Sequence, residues 1–307
     1  MRVESPAITV RGAVRNMYSR NDGRVKREMG PGLLVLPAFA IYGIFVIGAL
    51  LAAVIISFLN WPIGGSVSFA GLKNWSQFLT SGGVKALGVT AEVIGISLVV
   101  QIPLSVALGI FAAGRQRYRA LLSWLYVLPL LVSPTGIAIT WARLFDPTFG
   151  GFASFVQQSW LSSRAAAPVI VTLAFSWRIV PFYIILIQAA VRTIPRELFD
   201  AAAVDGASGA LLIRHIVLPQ LRHTMVVVGI LVITGALTAF DLYFVMTGGG
   251  PDGATTTLAV GVYLQAFSNQ VLGPASVYAV VVAAAGLFTV GLVSRVTRFG
   301  EMRSQRQ

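Results

Sequence analysis

The 307-residue sequence predicts an all-α protein that crosses a membrane six times. Its composition is the first indication, because 56% of the residues are hydrophobic and only 11% are charged, whereas a soluble domain carries roughly 25% charged residues. The second is a series of six apolar windows that each reach the ~20 residues a spanning helix needs. The third is an uneven distribution of Lys and Arg between the loops. Together they favour an integral membrane protein over a soluble one.

The six predicted spans follow one another with short or polar connections. They cover Leu33–Leu59, Leu87–Ala113, Ala120–Leu144, Pro168–Ala190, Thr224–Met246 and Ala275–Val296. Proline and glycine within them are compatible with spanning, because both residues are more frequent in membrane helices than in soluble ones. The predicted organisation is therefore an N-terminal tail, 1–32, a single membrane domain, 33–296, and a C-terminal tail, 297–307.

Basic residues set the predicted orientation. With the N-terminus inside, 18 of the 23 Lys and Arg residues fall in or at the edge of the inner segments, and only Lys73, Lys85 and Arg164 fall in the outer loops. Lys and Arg collect on the cytoplasmic side of membrane proteins, so both termini are predicted to be cytoplasmic. The N-terminal tail is not predicted to be a signal peptide, because the apolar stretch after it is too long for one.

Several kinds of chemistry are not predicted. The net charge of +12 comes with no basic stripe interleaved with aromatic residues, so nucleic-acid binding is not indicated. The sequence has no cysteine, and His215 and His223 have no acidic neighbours at ligand spacing, so no metal site is predicted. It contains neither a Gly-x4-Gly-Lys-Ser/Thr phosphate loop nor a Gly-x-Ser-x-Gly elbow. The chain is therefore not expected to be an enzyme, and its energy must come from a partner or an ion gradient.

A polar insert, residues 195–219, separates the fourth and fifth spans. Pro195 and Glu197 suit the first turn of a short helix, and Gly206 suits its end. A second short helix is expected to stop near Pro219. The small apolar faces of this hairpin are compatible with two roles, docking into a groove of another protein or lying on the membrane surface. The residues alone leave both roles open.

The spacing within the insert resembles the "EAA" loop of ATP-binding-cassette (ABC) importer permeases. The family pattern EAA-x3-G-x9-I-x-LP is matched in register by Asp200, Ala201, Ala202, Gly206, Ile216, Leu218 and Pro219. In that family the loop is the coupling helix, which inserts into a cleft of the cytoplasmic ATPase, and the resemblance implies this role here, with Asp205 included. Asp200 replaces the family's Glu, which shortens its reach towards a basic residue of the ATPase. Ile213 and His223 also depart from the usual residues.

Four further segments resemble carbohydrate-type permeases of the same class. They are 57–75, 126–150 (YVLPLLVSPTGIAITWARLFDPTFG), 177–183 (WRIVPFY) and 240–258 (FDLYFVMTGGGPDGATTTL). The Thr-Gly-Gly-Gly-Pro turn is typical of the first permease of maltose, glycerol-3-phosphate and multiple-sugar importers. The resemblance therefore implies the type I ABC importer permease fold, in the cytoplasmic (inner) membrane of a bacterium or archaeon.

The resemblance also implies a function and partners. The function is one half of the translocation path of an ATP-driven, binding-protein-dependent sugar importer. The expected partners are a second homologous permease, two cytoplasmic ATPase subunits that bind ATP and Mg²⁺, and an extracellular or periplasmic solute-binding protein that docks on loops 60–86, 145–167 and 247–274. This chain itself is expected to bind no cofactor. Import of glycerol 3-phosphate or a polyol, and an ion-coupled secondary carrier, remain as alternatives.

Candidates for the solute path lie in the fourth and fifth spans. Ionisable groups within spans usually face a bundle interior or a wet cavity, so Arg178 and Asp241 either lie together there or snorkel separately. The resemblance to the maltose permease adds Ile179, Phe182, Val232, Gly235, Ala236 and Ala239. The small residues among these either leave room for a solute or form a close helix contact. The aromatic candidates, which either stack on a sugar ring or simply pack, are Trp177, Phe182, Phe240 and Tyr243.

Overall fold

The computed structural model describes residues 31–114, 118–152 and 160–304. The predicted tail up to residue 30, together with Arg115 and Arg117, lies outside these described residues. Within them, five helices are long and apolar enough to cross a membrane, and a bent pair of helices raises the number to six if the pair counts as one span. The all-α membrane fold predicted from composition and hydropathy is confirmed.

The chain divides into two units, residues 1–49 and 50–307. In the first unit, α1 (Pro31–Tyr42) leads directly into a π-helical turn (Gly43–Gly48). The side chains of residues 35–48 are largely exposed, including Phe45 at 73%, as expected for a surface that lipid can cover. The next helix, α2 (Ala49–Ile56), begins at the boundary.

The second unit contains a short hairpin and the remaining helices. Strands β1 (Leu59–Asn60) and β2 (Ser68–Phe69) pair antiparallel, with Leu59 opposite Phe69. The helices are α3 (Lys73–Thr80), α4 (Gly83–Ala113), α5 (Arg119–Leu131), α6 (Pro134–Leu144), α7 (Ala166–Arg192), α8 (Arg196–Val204), α9 (Ala210–Leu212), α10 (Leu218–Gln220), α11 (Arg222–Leu237), α12 (Asp241–Thr247), α13 (Leu258–Tyr263) and α14 (Leu272–Ser304). A 3₁₀ turn covers Trp160–Ser162, and π-helical turns cover Ile213–Val217 and Leu264–Ser268.

Helices α4 and α7 form the centre of the second unit. At Gly109 on α4, a Cβ atom would lie only 2.6 Å from Ile187 Cγ2 on α7, so glycine lets the two backbones approach closely. Near the middle of the same pair, buried Gln101 Nε2 donates a hydrogen bond to Ser176 Oγ at 3.0 Å. A polar contact of this kind holds two membrane helices together where apolar packing alone gives little preference over lipid.

The third predicted span, Ala120–Leu144, is not one straight helix. α5 and α6 are bent by 104° at a short break. The cause lies at Ser133-Pro134, because a residue before proline is pushed into extended conformation, and Ser133 has ψ of 145°. Ser133 Oγ then accepts from Gly136 N at 3.1 Å, which starts a new helix with proline in its first turn.

The fifth and sixth predicted spans also differ in detail. The prediction for Thr224–Met246 is one helix, whereas α11 ends at Leu237 and α12 begins at Asp241. The prediction for the last span ends at Val296, whereas α14 continues to Ser304, into the predicted tail. The break between α11 and α12 matters most, because it forms part of the cavity described next.

Candidate functional site

Helix α7 and the broken α11–α12 segment enclose a cavity of about 360 Å³. This volume lies within the roughly 300–1,000 Å³ typical of small-molecule sites. The cavity is lined by Phe175, Arg178, Ile179, Phe182, Tyr183, Leu231, Thr234, Gly235, Thr238, Ala239, Phe240, Asp241 and Leu242. The helices that line it are two of the predicted spans, so it is a polar and aromatic recess at membrane depth.

Two opposite charges line this cavity without pairing. Arg178 Nε is buried and has no hydrogen-bond partner among the residues that the structure describes. Asp241, the first residue of α12, is exposed. No ion pair joins the two side chains in the described part of the chain, so they share the cavity but not a salt bridge. A guanidinium group inside a membrane needs polar partners, and Nε has none within the described part of the chain.

Hydroxyl groups and aromatic rings complete the lining. Thr234 and Thr238 are exposed on α11 and at its end, and Thr238 Oγ1 donates to Thr234 O at 2.9 Å. A Cβ atom on Gly235 would lie 3.7 Å from the hydroxyl oxygen of Tyr183, so the missing side chain leaves room in front of that oxygen. Phe240 stacks on Phe244 with ring centroids 5.3 Å apart. The recess therefore offers both hydrogen-bonding groups and flat apolar faces.

The structure divides the predicted solute-path residues into two groups. The members that line the cavity are Arg178, Ile179, Phe182, Gly235, Ala239, Phe240 and Asp241. Val232 and Ala236, one helical turn apart, are fully buried in core clusters. Tyr243 is also fully buried, with its hydroxyl 2.7 Å from Thr172 Oγ1. Trp177 is 48% exposed and its ring lies 6.1 Å from that of Trp141.

The cavity also contains residues that were not among the sequence candidates. They are Phe175, Tyr183, Leu231, Thr234, Thr238 and Leu242. A usable signal was present for two of them. Thr234, Thr238 and Asp241 are spaced four and three residues apart, which would put them on one face of the continuous helix that the sequence predicts. The resemblance points instead to the face formed by Val232, Gly235, Ala236 and Ala239, of which Val232 and Ala236 are fully buried in the core.

A helical hairpin forms at residues 195–219, where the motif predicts one. Helix α8 ends at Val204, and Gly206 adopts φ of +72°, a left-handed conformation that glycine enters without strain. Gly206 N donates to Ala203 O at 3.1 Å and Ala207 N donates to Ala202 O at 2.8 Å. These two bonds make a Schellman cap. The motif glycine is thus the residue that ends the first helix and turns the chain.

The second half of the hairpin accommodates the motif proline by widening its helix. Residues 210–220 are helical throughout, but Ile213–Val217 form a π-helical turn, and Leu218 N donates to Ile213 O. Pro219 has no N–H to donate and would clash in a regular helix, so the wider turn lets the helix continue to Gln220. The second helix thus ends at Gln220, close to the predicted stop near Pro219.

The hairpin has a buried base and an exposed outer surface. Ile194, Val217 and Leu221 are buried in a cluster with Tyr183, Ile187, Val228 and Val232. Among the predicted coupling residues, Ala202 is buried and Ile216 and Leu218 are half-buried. The exposed ones are Asp200, Ala201, Asp205, Gly206 and Pro219. Two large apolar side chains beside them, Val204 and Leu211, are 89% and 56% exposed.

These features agree with what comparison with known proteins finds. The family described as "Binding-protein-dependent transport system inner membrane component" matches residues 105–299, which include α7, the hairpin and the α11–α12 break. The chain belongs to this family. It is therefore a multi-pass inner-membrane permease of a binding-protein-dependent transport system, and the permease family predicted from the hairpin motif is confirmed. The ion-coupled carrier alternative is set aside.

Individual relatives of this permease cover most of its length. It is 31% identical over 291 residues to the sn-glycerol-3-phosphate transport system permease protein UgpA of Yersinia pestis, covering 90% of this chain and 96% of UgpA. It is 29% identical over 296 residues to the diacetylchitobiose uptake system permease protein NgcF of Streptomyces coelicolor, covering 87% and 83%.

Solved structures show the same fold. A bacterial ABC transporter involved in import of the acidic polysaccharide alginate matches with a TM-score of 0.75 at 20% identity, over 89% of this chain and 98% of the other. The same transporter type in complex with an alginate pentasaccharide-bound periplasmic protein matches with a TM-score of 0.77 at 18% identity. At this identity the likeness concerns the fold.

Proposed function

We propose that this permease imports a sugar, and that the sugar passes through the cavity between α7 and the α11–α12 segment. The observation that carries the proposal is the lining itself, which brings Arg178, Asp241, Thr234 and Thr238 together with several aromatic rings. A sugar presents hydroxyl groups on its edges and C–H groups on its faces. Charged and hydroxyl side chains match the edges, and aromatic rings such as Phe240 match the faces.

The relatives support the same class of solute. NgcF is named for diacetylchitobiose uptake, and a further relative, 30% identical over 250 residues, is the multiple sugar-binding transport system permease protein MsmF of Streptococcus mutans. We propose the same arrangement of partners that such systems imply. This chain pairs with a second permease, two ATPase subunits hydrolyse ATP with Mg²⁺ on the cytoplasmic side, and a solute-binding protein delivers the sugar from outside.

The proposed coupling element is the hairpin. We propose that both termini and the hairpin lie on the cytoplasmic side. With this orientation, 18 of the 23 Lys and Arg residues fall in or at the edge of cytoplasmic segments, where such residues collect in membrane proteins. The exposed surface around Asp200, Val204 and Leu211 then faces the ATPase. The buried base around Val217 and Leu221 would carry movement of that surface to α4, α7 and α11, whose side chains share the same cluster.

A phosphorylated solute is the second candidate. Arg178 favours it, because its buried Nε has no partner among the described residues and guanidinium groups bind phosphate oxygens in two-pronged hydrogen bonds. UgpA, named for sn-glycerol-3-phosphate transport, is similar to this chain over 90% of its length. Asp241 in the same cavity argues against it, because a second negative charge repels phosphate.

One experiment tests the proposal and separates the two candidates. The tagged chain is purified with its partners from its native host and reconstituted in vesicles, and ATP hydrolysis is measured with a panel of neutral oligosaccharides and with glycerol 3-phosphate. We expect neutral sugars to stimulate hydrolysis. Phe240→Ala and Thr234→Val should raise the half-saturating sugar concentration roughly tenfold, since each removes a contact worth about 1–1.5 kcal/mol.

The matched control is Thr289→Val on α14, whose hydroxyl donates to Ala285 O of its own helix, at 2.9 Å. It should leave the sugar response unchanged. Stimulation by glycerol 3-phosphate alone, abolished in Arg178→Met, would replace the sugar proposal with the phosphate one. Absence of stimulation by either class would reject both.

A further inference from the structure

The connection between α12 and α13, residues 247–257, is held together by threonine side chains, and we call it the threonine loop. Thr255 Oγ1 lies 2.6 Å from Thr247 Oγ1 and donates to Gly250 O at 2.8 Å. Thr256 Oγ1 donates to Gly249 O at 2.9 Å. Thr255 is fully buried. Polar side chains used in this way replace the solvent that loop carbonyls otherwise need.

Thr257 joins this loop to the wall of the cavity. Its Oγ1 donates to Ala239 O at 3.0 Å and accepts from Val260 N at 3.2 Å, which caps α13. Ala239 lies in the break between α11 and α12 and lines the cavity together with its neighbours Thr238 and Phe240. The carbonyl that the broken helix cannot satisfy is therefore satisfied by a residue eighteen positions later.

Thr90 joins the same loop to α4. Leu258 N donates to Thr90 Oγ1 at 2.8 Å, and Thr90 Oγ1 donates to Ala86 O at 2.7 Å. Thr90 and Thr257 are 1% and 0% exposed. Two buried hydroxyl groups thus connect α4, the start of α13 and the break between α11 and α12. Loss of a buried hydrogen bond of this kind lowers stability, because the remaining donor or acceptor is left without a partner and cannot bond to water instead.

We infer that Thr257, supported by Thr90, is a positioning residue for the solute cavity. Its bond to the Ala239 carbonyl stabilises the break between α11 and α12. The break in turn determines the positions of Thr238 and Asp241 on the cavity wall. Without the bond from Thr257, the Ala239 carbonyl can accept from the amide four residues further on, as in a continuous helix, and the wall is free to change shape. We call the bonds of Thr257 to Ala239 O and of Leu258 N to Thr90 the threonine latch. The assignment of this cavity to solute rests on the proposed function, whereas the threonine latch does not.

The test uses a thiol as a reporter of the cavity wall. The natural sequence contains no cysteine, so Thr238→Cys introduces one reactive site in the whole chain. Its rate of reaction with a small water-soluble maleimide is measured in the purified assembly, alone and combined with Thr257→Val, Thr257→Ser or Thr90→Val. Valine has the shape of threonine without its hydroxyl, and serine restores the hydroxyl.

We expect Thr257→Val to speed the reaction about fivefold, the effect on an equilibrium of losing one buried hydrogen bond. Thr257→Ser should return the rate to that of the parent. Thr90→Val should act in the same direction but less strongly, because it leaves the bond to Ala239 in place. A thiol introduced by Tyr118→Cys just before α5, where the side chain is 65% exposed, should react at the same rate in every background, and Thr289→Val is the matched control substitution.

Transport measurements distinguish positioning from a general loss of structure. Thr257→Val should raise the half-saturating solute concentration several-fold while solute-independent ATP hydrolysis stays unchanged, whereas a merely damaged chain would lose both. If Thr257→Val yields no folded chain, the thiol reactivity of the Thr90→Val variant tests the proposal instead. Unchanged thiol reactivity in both valine variants would overturn the threonine latch. Altered reactivity with no response to any sugar would keep the threonine latch and reject the sugar assignment.

Discussion

The threonine loop and the hairpin are both short polar connections between spans, but only the threonine loop adds bonds from buried side chains to those between its backbone groups. In the threonine loop, Thr255 and Thr257 are fully buried, and their hydroxyl groups donate to the carbonyl oxygens of Gly250, within the loop, and of Ala239, in the break between α11 and α12. In the hairpin, backbone amides alone close the turn at Gly206, and Val204 and Leu211 remain exposed. A connection whose side chains bond within the protein is rigid, whereas a connection closed by its backbone leaves its side chains exposed and available to bind a partner.

The largest expected difference comes from the same substitution made in both connections. Gly249 and Gly206 both have positive φ, +89° and +72°. A Cβ atom on Gly249 would lie 2.7 Å from Thr256 Oγ1, whereas one on Gly206 meets nothing within 4 Å. Gly249→Ala should therefore lower the free energy of unfolding by roughly 2–4 kcal/mol, through backbone strain and overpacking together.

Gly206→Ala should cost only the backbone strain, about 1 kcal/mol. Thermal unfolding of the detergent-purified chain measures both. Equal shifts in the midpoint would show that the threonine loop is no more tightly packed than the hairpin, and the comparison would then fail.

An intermediate effect is expected from the exposed apolar surface of the hairpin. Leu211 is 56% exposed, so Leu211→Ser should leave thermal stability within about 0.5 kcal/mol, as surface substitutions usually do. If this surface docks on the ATPase, the variant should retain about tenfold less ATPase in co-purification, because truncating an apolar docking residue costs more than about 1 kcal/mol.

The control for this variant is Leu79→Ser on α3, which is 65% exposed in a predicted outer segment. It should leave the amount of co-purified ATPase unchanged. Full retention of the ATPase by Leu211→Ser would instead favour a hairpin that lies on the membrane surface, the other role that its sequence allows.

The smallest effect is expected at Asp146, whose side chain bonds to the backbone while only half-buried. Asp146 Oδ1 accepts from Thr148 N at 2.8 Å and from Phe149 N at 3.1 Å. These two bonds, to Thr148 foremost, hold the pKa of Asp146 below its ordinary value. The folded pKa is the lower one, so the turn is stabilised above the ordinary pKa of Asp and loses this stabilisation as the pH falls through the folded pKa.

Carboxyl carbon resonances of isotope-labelled Asp146 measure the titration, and Asp146→Asn, which keeps an acceptor oxygen, provides the pH-independent reference. A titration midpoint at or above the ordinary value for Asp would contradict the turn. If the loss of the Asp146 bonds has a small effect and Gly249→Ala has a large one, the stiffness of the threonine loop comes from its burial and not from side-chain bonds to the backbone alone.

The sequence predicts the long elements better than the breaks within them. Hydropathy over about twenty residues finds the spans because lipid imposes that length. The same window averages over Ser133-Pro134, although the serine cap and proline there are a readable signal for a new helix. The break at Ala239 has no such signal, because the bond that satisfies it comes from Thr257, far away in sequence.

The hairpin could be predicted from the sequence better than the cavity, because its geometry depends on nearby residues alone. The hairpin is local, so Gly206 and Pro219 determine its geometry by rules that a sequence displays. The cavity is assembled from α7 and α11, and which face of α11 lines it depends on how the helices pack. Thr234 and Thr238 therefore stayed outside the sequence candidates, and Val232 and Ala236 were included among them although they are buried in the core.

The bend between α5 and α6 has a consequence for biosynthesis. The two pieces have 13 and 11 residues, and a helix needs ~20 to cross the hydrocarbon core. Neither piece can anchor itself in the bilayer alone, so the insertion machinery has to accept them as one hydrophobic stretch. A bent segment also exposes carbonyl and amide groups that lipid cannot solvate. The sharp bend therefore belongs to the assembled protein, after α7 has been synthesised and has packed beside it.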